Sequence, residues 1–183
     1  MSRERIGYSV FSKILVPLDG SKTAEKALPY ARHLARQNEA QIHLVYVCAD
    51  VMWAAGDGSL AVLGVGYYPI QQEVAESERH FREDYLANLQ KELQSEGLEA
   101  VYHCFQGDAA AEILELSERE AFDLIVLTSH GRTGVSHFFL GSVAEWLARK
   151  SPCPVLIVGH HSIEVDEDRD KTKVLSAAPL SVR

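Results

Sequence analysis

Five short, mainly apolar runs are separated by stretches in which apolar residues recur every three or four positions. The first run lies in Lys13-Ile-Leu-Val-Pro-Leu-Asp19, from Ile14 to Leu18. It is continuous rather than alternating, which predicts a strand buried on both faces. Pro17 inside it predicts a strand end or a bulge, because proline cannot donate to a ladder. Ser21 then caps a predicted helix in which Ala24, Ala27, Leu28, Ala31, Leu34 and Ala35 share a face. Gln41 to Cys48 reads as the second strand. Residues 49–70 hold four glycines and a proline among Val, Leu, Trp and Tyr, and read as a long loop that covers a site. From Gln71 to Glu96 the spacing predicts a long helix with Val74, Phe81, Tyr85, Leu89 and Leu93 facing inward, ended by Gly97.

Glu99 to Phe105 predicts the third strand, and Gly107-Asp108 opens a helix that turns Ile113 and Leu116 inward. Asp123 to Thr128 is the fourth strand. After a loop from Ser129 to Leu140, a helix runs from Gly141 or Ser142 to Lys150, with Arg149 and Lys150 at its negative end and Pro152 as its stop. Pro154 to Val158 is the fifth strand. Apolar strands alternating with amphipathic helices imply an α/β fold whose parallel sheet is covered on both faces. Right-handed crossovers then favour a doubly wound five-stranded parallel sheet of order 3-2-1-4-5. The folded domain is expected over residues 11–159, after an N-terminal extension, 1–10. Residues 160–183 break the pattern with a charged stretch and Ala177-Ala178-Pro179, and read as a disordered tail.

Composition narrows the partners. Acidic residues outnumber basic ones 26 to 18, for a net charge of −8, which argues against nucleic acid. The apolar runs span only about five to seven residues, so no membrane insertion is expected, and the polar N-terminus carries no secretory signal. A cytoplasmic location follows as the expectation. Cys48, Cys104 and Cys153 each sit in or beside a strand-like run without C-x-x-C spacing, and read as reduced, mostly buried thiols.

In an open sheet of this order, ligands bind where strand order reverses, between strands 1 and 4. The loops there are Pro17 to Ser21 and Thr128 to Ser142. In the second, Gly131 and Gly141 bracket nine residues and Ser142 opens a helix, whose free N–H groups suit an anion. Arg132 offers a cationic fork or simply points to solvent, and His130 a loop-shaping or phosphate-contacting ring; the other reading of this loop is glycines at turns and an ordinary helix cap. Asp19 offers a carboxylate to ribose hydroxyls or an adenine amino group; its other reading is a turn acid beside Ser21. Neither a Walker P-loop nor G-x-G-x-x-G is present. His130 and His137 are bases by residue type, but no nucleophile stands with an adjacent base and orienting acid, so slow hydrolysis is the most that this reading supports.

Val16-Pro17-Leu18-Asp19-Gly20-Ser21, His130-Gly131-x9-Gly141-Ser142-Val143 and Ser151-Pro152-Cys153-Pro154-Val155-Leu156-Ile157-Val158 together resemble the universal stress protein family, over residues 11 to 159. The ATP-binding branch of that family has Gly-x2-Gly-x9-Gly-Ser/Thr; Thr128 here stands in place of the first glycine. The resemblance implies ATP as ligand; the residues show no carboxylate cluster for a dedicated metal site, and Asp19 or the phosphates are the groups able to engage Mg2+. It implies Asp19 on ribose or adenine, Pro17, Leu18 and Val47 around the base, and Gly131, Gly141, Ser142 and Val143 at the phosphates; Ser129, His130 and Arg132 are the further candidates that the loop itself offers. It also implies a homodimer through Val155, Leu156, Ile157 and Val158, and a sensor or regulator in stress response. A nucleotide-free dimeric adaptor is the alternative, and Thr128 is its best argument.

Overall fold

The structure is a computed structural model that describes residues 9–48, 67–129 and 140–159, with backbone only for 67–78. Five parallel strands form one sheet: β1 (Lys13–Leu18), β2 (Gln41–Cys48), β3 (Ala100–Gln106), β4 (Leu124–Thr128) and β5 (Val155–Val158). Their order is β3-β2-β1-β4-β5, as the sequence predicts. The helices are α1 (Lys22–Glu25), α2 (Leu28–Asn38), α3 (Tyr67–Ser95), α4 (Ala109–Arg119) and α5 (Ser142–Lys150).

The pleat sorts the strand residues into two cores. Ile14, Val16, Leu18, Ile42, Leu44, Tyr46, Leu124 and Val126 pack with α1, α2 and α3. Leu15, Val45, Ile125 and Leu127 pack with α4 and α5 through Ile113, Leu116, Ala144 and Leu147. Helices therefore cover both faces, which is why the strand runs are continuous in apolar residues.

The register explains where the sheet opens. The Ser12 carbonyl faces β2 and accepts from Gln41 N–H, whereas the Lys13 carbonyl faces β4 and accepts from Asp123 N–H. Alternation then puts the nitrogen of Pro17 on the β4 side. Proline has no N–H to continue that ladder. The β1–β4 pairing indeed stops at Leu15↔Ile125, while β1–β2 runs on to Leu18↔Tyr46 and β4–β5 to Thr128↔Val158. Pro17 is thus neither a strand end nor a bulge. It is a central-strand residue that parts two neighbours.

Three sequence expectations change. The helix after Ser21 is two helices, because Pro29 cannot donate to the Glu25 carbonyl and its ring crowds that group. The long helix starts at Tyr67 rather than Gln71, with Pro69 in its first turn, where a missing N–H costs little. Phe81 is 69% exposed, and Leu86 at 0% takes the inward position. At 3.6 residues per turn, Phe81 lies about 80° around the helix from Leu89, off the buried stripe. Gly97 does end α3: at φ 80 it closes a Schellman cap, with Leu98 N–H on the Leu93 carbonyl and Gly97 N–H on Gln94. All three cysteines are free, as expected, and lie largely covered against the two cores. Residues 49–66 and 160–183, read as a covering loop and a tail, lie outside the described residues.

Candidate functional site

Leu18 and Thr128 end parallel strands that flank the parting, so Asp19 and Ser129 emerge at the same end of the sheet. Ser129 is clamped there: its N–H donates to Val158, and its carbonyl accepts from Gly141 N–H at 2.7 Å. That bond brings the start of α5 to the end of β4. Asp19 and Ser142, 123 positions apart in the chain, thereby stand at the same end of the sheet, at the ends of two neighbouring strands.

Gly141 is the N-cap of α5 and supplies no side-chain cap. The first-turn N–H groups of Ser142, Val143 and Ala144 have no partner within the helix and carry the positive end of its dipole. Gly141 has φ −60 and ψ 151, which any residue adopts. Its value at this position is the lack of a side chain, not a left-handed backbone. Ser142 is exposed, but the Val143 side chain is half-buried against the second core, so Val143 offers that end of the sheet only its amide.

On the other wall, Asp19 Oδ1 accepts the Ser21 N–H at 3.0 Å, and Ser21 Oγ accepts the Ala24 N–H at 3.1 Å. Gly20 makes the turn with φ 79. The turn reading of Asp19 is realised, and it leaves the carboxylate oriented at the strand end. Pro17 and Val47 fall on the α4–α5 face. Leu18, at 5% exposure, belongs to the opposite core, so its side chain does not line a base pocket with them. Thr128 is a strand residue paired with Val158, and it has no positive φ. Threonine stands there without backbone strain. His130, Gly131, Arg132 and His137 lie outside the described residues.

Sequence reading overlooked a polar and aromatic layer behind Asp19. Tyr85 of α3 donates from its hydroxyl to Glu25 Oε1 at 3.2 Å. Its ring stands edge-on to Tyr46, at 6.4 Å and 80°, and the Arg82 guanidinium lies 6.0 Å from the Tyr46 centroid. Burial, followed by the charges of Glu25 and Asp19, pushes the Tyr85 phenol well above its ordinary range. The available signal was Arg82 and Tyr85 three residues apart, hence on one helix face. Among the described residues, no group of three or more His, Cys, Asp or Glu stands together to hold a metal. No helix among them is long and apolar enough to cross a membrane.

The arrangement, an acid and a helix N-terminus on either side of a proline-parted pair of strands, is suited to a ligand with a polar ring system at one end and an anion at the other. Universal stress protein MJ0531 of Methanocaldococcus jannaschii is 30% identical over 84% of this chain and 85% of that protein. The solved structure of hypothetical protein MJ0577, from the same organism, superposes with a TM-score of 0.71 at 27% identity, covering 84% of this chain and 99% of that one. A universal stress protein family protein from Arabidopsis thaliana, solved with AMP bound, shares the fold at 16% identity and a TM-score of 0.58, covering 86% and 97%. The universal stress protein family profile matches residues 11–159 of this chain, which belongs to that family.

Proposed function

We propose that the chain binds an adenine nucleotide, ATP foremost, in the crevice between β1 and β4, and that it acts as a nucleotide-dependent sensor or regulator in stress response. The carrying observation is that Asp19, just after β1, and the side-chain-free N-terminus of α5, joined to the end of β4 through the Gly141–Ser129 bond, lie at the same end of the sheet. Asp19 accepts from ribose or the adenine amino group, beside Pro17, Val47 and the backbone of Leu18. The amides of Gly141, Ser142 and Val143, with the Ser142 hydroxyl, donate to phosphate oxygens. By the family pattern Gly131 joins them, and Ser129, His130 and Arg132 complete the phosphate end. Mg2+ arrives on the phosphates rather than in a protein cage, and β5 pairs with a second copy. The AMP carried by the Arabidopsis relative fits the same ligand class.

Calorimetry with ATP, AMP, cyclic AMP and inorganic triphosphate tests this, together with identification of any nucleotide retained through purification. ATP is expected to bind more tightly than triphosphate. A protein that retains no nucleotide and gives no heat with ATP or AMP at millimolar concentration rules the reading out.

A further inference from the structure

α1 is a single turn, Lys22–Glu25, set between the Asp19 turn and the break at Pro29. One turn does not hold itself in water. Its position depends on its tethers. Ser21 fixes its start through the bond to Ala24 N–H. At its end, Glu25 Oε2 meets Lys22 Nζ at 2.6 Å, but the Lys22 side chain is 92% exposed, so that pair anchors α1 to nothing else. The other oxygen, Oε1, takes the Tyr85 hydroxyl. Tyr85 is itself held: its ring rests on Tyr46, and α3 is pinned to α2 by Arg32 with Glu92 and Glu96, and by Arg36 with Glu96. The phenol stays protonated because burial and the facing carboxylates oppose its ionisation, so it remains a donor.

We infer that Tyr85 is a positioning residue for the nucleoside end of the proposed site: by holding Glu25 it fixes α1, and through α1 the Asp19–Ser21 turn. This rests on the nucleotide reading for its consequence, though the tether itself does not. Of the two nearby carboxylates, Glu25 accepts from the Tyr85 hydroxyl, while Asp19 accepts from Ser21 N–H. Tyr85 and Lys22 engage Glu25 and keep it in α1, which leaves Asp19 as the acid presented to the ligand.

The test is Tyr85→Phe in the full chain, which removes only the hydroxyl. Hydrogen exchange at the α1 amides, where Glu25, Lys26 and Ala27 donate to Ser21, Thr23 and Ala24, is expected to quicken about fivefold or more, with α5 unchanged. Dissociation constants for ATP and adenosine should rise about three- to tenfold and that for triphosphate should not move. Glu25→Gln keeps an oxygen for Tyr85 and should stay near wild type. Glu25→Ala should match Tyr85→Phe, and the double variant should be no worse than Glu25→Ala alone. Unchanged exchange in α1 overturns the tether, and equal losses for ATP and triphosphate overturn its role at the nucleoside. A wild-type protein that binds no nucleotide overturns the proposed function and the nucleoside role together, while the exchange measurement still decides the tether.

Discussion

The Nδ1 of His43 lies 3.0 Å from the Nε2 of His103 on the neighbouring strand, and its Nε2 lies 2.8 Å from Gln41 Oε1. The rings are 11° from parallel with centroids 5.3 Å apart, so they meet through their nitrogens near a common plane. With the Gln41 oxygen accepting, His43 carries its proton on Nε2 and receives the His103 proton on Nδ1. His43 is 5% exposed, and Phe122 stands edge-on to it at 4.7 Å.

This arrangement predicts acid lability. Burial, with His103 and Lys13 adding to it and Glu120 opposing, lowers His43 from 6.5 to about 4. Burial also lowers His103. The unfolded chain takes up a proton below about 6.5 that the folded chain refuses until about 4. Stability from the neutral pair is therefore full above 6.5 and is lost as pH falls toward 4, on the order of 2–3 kcal/mol for His43. Urea midpoints should drop across that window in the wild type and drop less in His43→Asn. Parallel curves for the two proteins would remove the His pair as the cause.

Pro17 parts β1 from β4 by withholding one N–H. Pro17→Val restores a donor facing β4 and suits a strand. The ladder should then extend past Leu15↔Ile125, stabilising the fold by about 1 kcal/mol. Closing the crevice should weaken ATP. Thermal melting and calorimetry on the same variant read both effects, and a variant that binds ATP as well as wild type would deny the parting any role.

The strands were legible because residues buried on two faces cannot alternate, and their order followed from crossover handedness. Local backbone facts were harder to weigh. The apolar spacing through Ala24, Ala27, Leu28 and Ala31 runs across Pro29 as if nothing interrupted it, and the missing N–H won. The resemblance puts Leu18 beside the base, but the pleat turns its side chain into the core opposite Val47. Tyr85 and Glu25 are 60 positions apart on two helices. Neither carries a local sign of the other, so that pair appears only in the folded chain.

Asp19 performs two tasks, and substitution can separate them. Asp19→Ala loses both the Ser21 N–H and the nucleoside contact. Asp19→Asn keeps an oxygen for Ser21 and loses the charge. Both should weaken ATP more than inorganic triphosphate, because the carboxylate addresses the nucleoside. Only the alanine variant should also lose about 1 kcal/mol of stability. Equal losses for the two ligands would strip Asp19 of the nucleoside role.

Gly141→Val separates close approach from backbone need. At φ −60 and ψ 151 valine is unstrained, so α5 should form and the melting temperature should hold. The added methyl groups stand where phosphate oxygens would meet the helix amides. ATP affinity should fall at least tenfold, about 1.4 kcal/mol. Retained affinity in a folded variant would move the phosphates away from α5.

β5 is an edge strand, apolar and half-buried along Val155, Leu156 and Ile157. Pro154 and Val158 direct their carbonyls to β4, accepting from Ile125 and Ser129. Alternation turns the N–H groups of Val155 and Ile157 outward, where a second copy of β5 would pair. Ile157→Pro deletes one outward donor and spares the β4 ladder, a position at which an edge strand tolerates proline. Light scattering should show a wild-type dimer and a folded Ile157→Pro monomer. Leu156→Pro, which removes an inward donor, should destabilise the fold itself by about 3 kcal/mol. A dimer that survives Ile157→Pro with unchanged affinity would place the interface elsewhere than on β5.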